Sequence, residues 1–264
     1  METGQLFLMP EKNNNSHTNS LSIHSYKNGF SFCTSESIDF QETIYFNEET
    51  RQIFESLLNY SPKKQYEDIQ WICHDGPCLF IPKPLFSESK LQEYWQFFAP
   101  KSSNGKLVFD QNEVQKLILM YEERPLVFDY LKAHAKTLER THYHKTLFDC
   151  ILLKLAEHPG NKVYIHLSKD SFDVFVFKGD LFELYNTFEL ISEETFLYYL
   201  FFIVEQMKWD PDEFSVIFMG EFEPFRKYYE ATKIYQNAVF FLSTERQHKL
   251  SEDHPSPFIV NSFI

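Results

Sequence analysis

Two short segments of the chain carry residue types that bind metal ions. Residues 73–78, CHDGPC, contain two cysteines, but a zinc site usually needs two more ligands, and Cys33 and Cys150 form no second pair. Residues 142–144, HYH, contain two histidines that lie about 200° apart on a helix, although they would share a face on a strand. We therefore expect no metal site. The first segment is interpreted as two strand cysteines around a Gly-Pro turn, and the second as a solvated helix start.

Glycine spacing argues against the common nucleotide-binding motifs. The chain has only seven glycines, and no two of them lie close together in the sequence. Phosphate-binding loops and dinucleotide-binding turns need closely spaced glycines, because only a backbone without Cβ lets its N–H groups approach phosphate. The sequence also lacks the G-x-S-x-G turn of serine hydrolases. We therefore expect no cofactor and none of these three chemistries.

Charge and composition exclude further classes of function and cellular location. The formal net charge of −13 repels phosphate backbones, so we expect no nucleic-acid partner. Four cysteines in 264 residues are too few for a disulfide framework, which favours a reducing, cytoplasmic compartment. The most apolar stretch, residues 196–207, is shorter than a membrane span, and the first residues do not form a secretory signal. We expect no membrane span.

The elements that must position any site are those of a mixed α/β protein. Periodicity and turn residues predict strands that alternate with amphipathic helices in the second half of the chain. Predicted strands cover residues 21–24, 30–34, 66–73, 79–81, 107–110, 114–121, 163–167, 172–177, 181–190, 214–219 and 237–242. Predicted helices cover residues 49–59, 87–98, 147–155, 192–207 and 221–232.

A faint internal repeat links the two halves. Residues 23–30, IHSYKNGF, and residues 165–172, IHLSKDSF, match at Ile, His, Lys and Phe, and each segment forms a predicted hairpin that opens an α/β region. Repeats so far apart along the chain indicate two similar lobes rather than a solenoid. The alternative that stays open is two ordinary hairpins in one sheet.

A duplicated lobe that begins with a β-hairpin resembles the actin-like ATPase superfamily, which includes chaperones, sugar kinases and pilus-assembly proteins. Residues 165–177, IHLSKDSFDVFVF, resemble the phosphate-binding hairpin of the chaperones, and residues 216–224, VIFMGEFEP, resemble the segment that contacts adenosine. The whole chain resembles an uncharacterised Bacteroidetes family of unknown function with this fold. The resemblance implies a duplicated, two-lobed α/β (ribonuclease H-like) fold in which helices flank mixed sheets.

That resemblance also implies domain limits. We expect a flexible lead-in over residues 1–20, a first lobe over 21–140, a second lobe over 141–250 and a C-terminal tail over 251–264. The tail ends in PFIVNSFI, an apolar segment that would dock on its own domain or on a partner.

The departures from the superfamily concern its chemistry. Where each lobe of an active member has an aspartate at the end of the first strand, this chain has His24 and His166. The hairpin turns carry Lys27 and Lys169 in place of glycines, and Gly220 is the one glycine left in the adenosine segment. These nucleotide motifs are degenerate, so we expect no ordinary phosphate binding.

If the lobes face each other, the same five residues would line the cleft between them. His24 and His166 would approach each other, with Lys27 and Lys169 nearby, as a pocket for a small anionic ligand or a two-histidine metal site. The alternative is that the histidines are ordinary strand residues with satisfied hydrogen bonds and that the lysines are solvated.

The function expected from this pattern is a non-catalytic, cytoplasmic bacterial protein, a pseudo-ATPase that acts as a scaffold by binding another protein. Its abundant tyrosine and phenylalanine residues are of the kind enriched in protein interfaces. The alternative is a divergent enzyme that binds a nucleotide or sugar phosphate through His24 and His166. The sequence does not indicate the oligomeric state.

Overall fold

The structure is a computed structural model that describes most of the chain. The described residues are 20–26, 29–33, 38–42, 52, 68–74, 76–99, 105–123 and 125–242. Lys27, nearly all of the predicted helix 49–59 and the tail 251–264 therefore lie outside the described residues.

Strands and helices alternate through the described residues. The strands are β1 Ser20–Tyr26, β2 Gly29–Cys33, β3 Ile38–Glu42, β4 Asp68–Cys73, β5 Cys78–Pro82, β6 Lys106–Asn112, β7 Leu117–Glu123, β8 Thr137–His142, β9 Asn161–Leu167, β10 Ser171–Lys178, β11 Leu181–Glu189, β12 Phe214–Met219 and β13 Val239–Leu242. The helices are α1 Leu91–Phe98, α2 Pro125–His134, α3 Tyr143–Lys154, α4 Glu193–Met207 and α5 Phe222–Tyr235.

The strands form three sheets, two of which share one topology. The first sheet has the order β3-β2-β1-β4-β8 and the second the order β11-β10-β9-β12-β13. In both, three antiparallel strands are followed by two parallel ones. The third sheet, β5-β7-β6, is antiparallel and comes from the segment between β4 and β8.

Residue pairing across the two hairpins follows the internal repeat position by position. His24 pairs with Ser31 across the first hairpin, and His166 pairs with Asp173 across the second. Both pairs are related by the same displacement along the chain, since 166 − 24 and 173 − 31 both equal 142. The predicted duplication is therefore confirmed, and Asp173 occupies the position that Ser31 has in the first copy.

The second sheet is covered on both faces. On one face α4 and α5 pack against the alternate residues of β9 and β10, around Phe196 and Tyr228. On the other face α3 and the third sheet pack together, so that Leu119, Phe148 and Phe175 belong to one buried cluster. Continuous burial on both faces explains why β9, β10 and β12 are near-continuous apolar runs.

The first sheet has its own core against α2. Its members include Ile23, Trp71 and Leu131, all almost completely buried. Neither α2 nor β8 was predicted from the sequence. β8 reads TLERTH and alternates between exposed and half-buried residues at a sheet edge, so it lacks the apolar alternation that indicates a strand.

Candidate functional site

A fully buried carboxylate lies where the two halves of the molecule meet. Asp173, on β10, accepts hydrogen bonds from four side chains. His144 Nε2 lies 2.9 Å from it, His166 Nδ1 3.1 Å, Tyr143 Oη 3.2 Å and Thr187 Oγ1 2.7 Å. Because ionised carboxylates only accept hydrogen bonds, four donors around one carboxylate favour its charged form.

The electrostatics of Asp173 reflect a balance of opposing effects. Complete burial raises the pKa of the carboxyl, but the charge of His144 and the hydrogen bonds from His144 and His166 outweigh it and hold the pKa well below its usual range. Asp173 therefore carries a negative charge inside the protein. Burial in turn raises the pKa of the nearby Tyr143 and Tyr185 hydroxyls, and Asp173 raises it further, so both stay protonated as donors.

A chain of rings connects this carboxylate to the first sheet. His24 Nδ1 lies 3.1 Å from His74 Nε2, and the His74 ring stacks on Tyr143 at 4.9 Å with an interplanar angle of 5°. Tyr143 then donates to Asp173, which also accepts from His166. The two histidines of the internal repeat are thus linked through His74, Tyr143 and Asp173.

The five residues predicted to line the cleft have different surroundings. His24 and His166 are 0% and 1% exposed, so they form part of a filled polar centre. Lys169 is exposed in the turn between β9 and β10, whereas Lys27 lies outside the described residues. Gly220 follows β12 with a φ of +135°, and a Cβ there would lie 3.2 Å from the Leu167 carbonyl oxygen. Glycine is required at this position by backbone packing.

The segment 142–144 begins a helix as predicted, but the expectation that it is solvated is wrong. His142 and His144 are 0% and 2% exposed. His142 is the N-cap of α3, since its Nδ1 accepts the His144 backbone N–H at 3.2 Å. The helix begins at the junction between the first and second sheets, and that location buries the polar side chains of its first turn.

A nucleotide phosphate with its Mg²⁺ does not fit the residues found here. The Nδ1 atom of His166 is engaged with Asp173, so a buried negative charge lies within the second hairpin itself. In the turn itself, the Ser168 N–H donates to the Ser171 carbonyl, and every residue carries a Cβ. Phosphate binding needs free backbone N–H groups and a positive potential.

Sequence reasoning missed Asp173, Tyr143 and Tyr185 as members of this centre. One signal was available for Asp173: it is the single charged residue in the apolar stretch of β10, and a buried strand tolerates a charge only when the charge is satisfied. Tyr185 carries no comparable signal, because β11 alternates in a way that does not distinguish it from its neighbours.

A second feature is an aromatic groove on the outer surface of α4 and the end of α5. The groove is shallow and open to solvent, with a volume of about 450 Å³. Its lining residues are Glu194, Leu197, Tyr198, Phe201, Phe202, Glu205 and Tyr235. Tyr198 and Tyr235 are 62% and 60% exposed, although aromatic side chains are normally buried.

The class of the protein follows from its fold. A solved protein of unknown function from Bacteroides thetaiotaomicron VPI-5482, described as having an actin-like ATPase fold, superimposes with a TM-score of 0.68. The match covers 84% of this chain and 90% of that one, at 17% identity. The chain therefore has the actin-like ATPase fold, as predicted.

The family can also be stated. Residues 10–239 match the family described as "Protein of unknown function (DUF3822)", and the chain belongs to that family. More distant similarity is found to a PilM-PilN type IV pilus biogenesis complex, with a TM-score of 0.46 and 9% identity over 85% of this chain and 88% of that one. No curated protein matches the chain. Among the described residues, no helix combines the length and apolar character that crossing a membrane requires.

Proposed function

We propose that this protein is a cytoplasmic, non-catalytic member of the actin-like fold that binds a segment of another protein in the aromatic groove of α4 and α5. The observation that carries the proposal is the exposure of large aromatic side chains in one concave surface. Exposed apolar patches of this kind, bordered by charged residues, are typical of protein interaction sites.

The groove has the chemistry of a site for an amphipathic helix. Tyr198 and Phe202 stack on each other with ring centroids 5.9 Å apart, and Phe201 contacts Tyr235 across the gap between the helices. Tyrosine and phenylalanine offer large contact areas at a low cost in conformational entropy. A helix that inserts apolar side chains at i, i+3 and i+4 spacing would cover these rings.

The charged residues that border the groove indicate what kind of helix would bind there. Glu194 and Glu205 lie at opposite ends of the groove, eleven residues apart on α4, which corresponds to about 16 Å along the helix. The chain as a whole carries a net charge of −13. The partner segment is therefore about three turns long, apolar on one face and basic at both ends.

The absence of catalysis is supported by the filled polar centre. His24 and His166 are buried and engaged with neighbouring side chains, so neither is available to a phosphate or to an attacking water. None of the four cysteines forms a disulfide, which suits a reducing compartment.

The binding proposal can be tested with two synthetic peptides. Both are three helical turns long with identical apolar residues, and one has lysine and the other glutamate at its ends. We expect the lysine peptide to bind in a fluorescence titration and the glutamate peptide to bind much more weakly. The double variant Tyr198→Glu/Phe202→Glu should lose binding of the lysine peptide.

The matched control is Phe97→Glu, which changes an equally apolar residue that is 94% exposed on α1. This variant should bind the lysine peptide as the wild type does. Equal binding by the wild type and the groove variant, or no preference for the basic peptide, would contradict the proposal. Light scattering can also detect self-association of the protein. If the double variant abolishes such self-association, the segment bound in the groove belongs to a second copy of the chain and not to another protein.

Calorimetry with ATP, ADP and Mg²⁺ tests the non-catalytic part separately. We expect no binding, because the phosphate-binding features are absent and Asp173 adds negative charge. Micromolar binding that is lost in His24→Ala and His166→Ala would instead favour the divergent enzyme considered from the sequence.

A further inference from the structure

We propose that Cys78, His142 and His144 bind one Zn²⁺ ion at the junction of the three sheets. One candidate ligand atom from each residue lies within 4.8 Å of the other two, and all three residues are buried. Cys78 comes from the CHDGPC segment and the histidines come from the HYH segment, and the sequence predicted a metal site in neither. The fold brings one cysteine of the first segment and both histidines of the second to one place.

Regular elements hold the three residues. Cys78 is the first residue of β5, His142 is the last residue of β8, and His144 lies in the first turn of α3. One thiolate and two imidazoles are a ligand set that Zn²⁺ prefers over Mg²⁺ or Ca²⁺.

The separation of the ligand atoms requires only a modest contraction. With Zn–S and Zn–N bonds of about 2.3 and 2.0 Å, tetrahedral donor atoms lie about 3.3 to 3.6 Å apart. Two donor atoms at the present limit of 4.8 Å would therefore have to come about 1.2 to 1.5 Å closer, and zinc binding would achieve this by rotating the imidazole rings.

The surroundings of His144 match those of a metal ligand. Its Nε2 is 2.9 Å from the Asp173 carboxylate, which leaves Nδ1 as the metal-binding nitrogen. Histidine ligands of zinc usually donate their second ring N–H to a carboxylate in this way, which fixes the ring and strengthens the ligand. The protonated Tyr185 hydroxyl lies 2.8 Å from Nδ1 and 2.7 Å from Nε2 of the same ring, so it would move aside, and water would supply the fourth ligand.

Zinc binding by His142 would replace the hydrogen bond with which this residue caps α3. Its Nδ1 accepts the backbone N–H of His144 at 3.2 Å, so its ring proton is on Nε2. Coordination through Nδ1 breaks that cap, which is a small loss beside the free energy of a structural zinc site. The Cys78 thiolate and the Asp173 carboxylate would balance the two positive charges of the ion in this buried location.

The test begins with the intact wild-type protein and Zn²⁺ or Co²⁺ alone. We expect one Zn²⁺ per chain by elemental mass spectrometry after dialysis, and thiolate-to-Co²⁺ charge-transfer absorption when Co²⁺ is added to metal-free protein. The Co²⁺ spectrum needs no variant, so absence of the charge-transfer band overturns the proposal even if ligand variants fail to fold.

Variants then identify the ligands. Cys78→Ser and His144→Asn should each weaken Zn²⁺ binding by at least about a hundredfold, and Asp173→Asn by about ten- to a hundredfold, in competition with a chelating indicator. Cys73→Ser is the matched control, because Cys73 is equally buried at the end of β4 and is outside the ligand group. Loss of zinc in folded Cys73→Ser, or its retention in folded Cys78→Ser, would overturn the assignment.

This experiment is independent of the peptide-binding experiment. The aromatic groove lies on the α4 and α5 face of the second sheet, whereas the proposed zinc ligands lie on its α3 face. Failure of either proposal therefore leaves the other in place.

Discussion

Two carboxylates among the described residues, the fully buried Asp173 and the half-buried Asp110, have opposite electrostatic situations. Asp173 accepts four hydrogen bonds, two of them from histidines, and is held in its charged form. Asp110 accepts from the Tyr121 hydroxyl at 3.0 Å, but burial raises the pKa of its carboxyl more than Tyr121, Lys145 and Arg140 lower it. The number and kind of donors around a carboxylate decide whether its burial is compensated.

Asp110→Asn is expected to stabilise the protein at neutral pH. The folded-state pKa of Asp110 lies above the unfolded value of about 3.9, so the ionised form costs stability above that pH, and the cost disappears as the carboxyl becomes protonated. Asparagine keeps an oxygen for the Tyr121 hydroxyl and carries no charge. Urea unfolding should give the variant a larger free energy of unfolding at pH 7 and a difference that shrinks towards pH 3.

The control for this prediction is Asp129→Asn, an exposed aspartate on α2 that should leave the pH profile unchanged. A wild type that is more stable than Asp110→Asn at pH 7 would show that the carboxylate contributes favourably, through Lys145 and Arg140.

For individual residues, the sequence indicated which residues belong to the polar centre better than it indicated their burial and hydrogen-bond partners. His24 and His166 were identified through the repeat, and the structure connects them through Tyr143 and Asp173. Contacts between residues that are far apart in the chain depend on sheet packing, which no local pattern encodes. The burial of His142 is a case of this kind.

At the scale of the elements, the connection between β12 and α5 requires a glycine at position 220. β12 lies beside β9 in parallel register, and the chain leaves β12 at Gly220 while passing the Leu167 carbonyl. A φ of +135° is rarely accessible to residues with a Cβ. The resemblance to nucleotide-binding proteins explains the presence of this glycine by ligand contact, whereas the structure accounts for it by strand packing.

Gly220→Ala is expected to lower the free energy of unfolding by about 2 to 4 kcal/mol, because the strained φ and the contact with Leu167 add together. Gly160→Ala is the matched comparison: its φ is +80°, and an added Cβ would meet no atom within 4 Å. That variant should lose only about 1 kcal/mol. Equal losses in thermal or urea unfolding would show that backbone strain alone, and not the contact with Leu167, sets the requirement for glycine.

Element prediction succeeded where burial is periodic and failed where it is not. The predicted strand 172–177 corresponds to β10, and the predicted cap Ser192 accepts the Thr195 N–H at the start of α4. The missed α2 and β8 follow each other between the third sheet and α3. The exposed Leu126 obscures the apolar face of α2, which buries Val127 and Leu131, and β8 is an edge strand whose first five residues are only exposed or half-buried.

On the scale of the whole molecule, the third sheet joins the two halves. It arises between β4 and β8 of the first sheet, yet Leu119 and Tyr121 belong to the same buried cluster as Phe175 and Ile217 of the second sheet. A hinge motion between the halves would have to separate these contacts. We therefore expect the halves to behave as one unit.

Three tryptophans allow this expectation to be measured. Trp71 lies in the core of the first sheet, Trp95 in the cluster below the third sheet, and Trp209 against the core of the second sheet. Variants that retain one tryptophan each, with phenylalanine at the other two positions, should all report the same urea midpoint as circular dichroism. Separate midpoints for Trp71 and Trp209 would show that the two halves unfold independently.

The position of the third sheet also constrains how the nascent chain can fold. Its strands leave the ribosome before α3 and β10, so the face of β7 that carries Leu119 has no covering partner from the second half until Phe148 and Phe175 have been synthesised. An uncovered apolar face on an incomplete chain is prone to aggregation. Premature termination before α3 would thus leave an aggregation-prone apolar surface rather than a shorter functional protein.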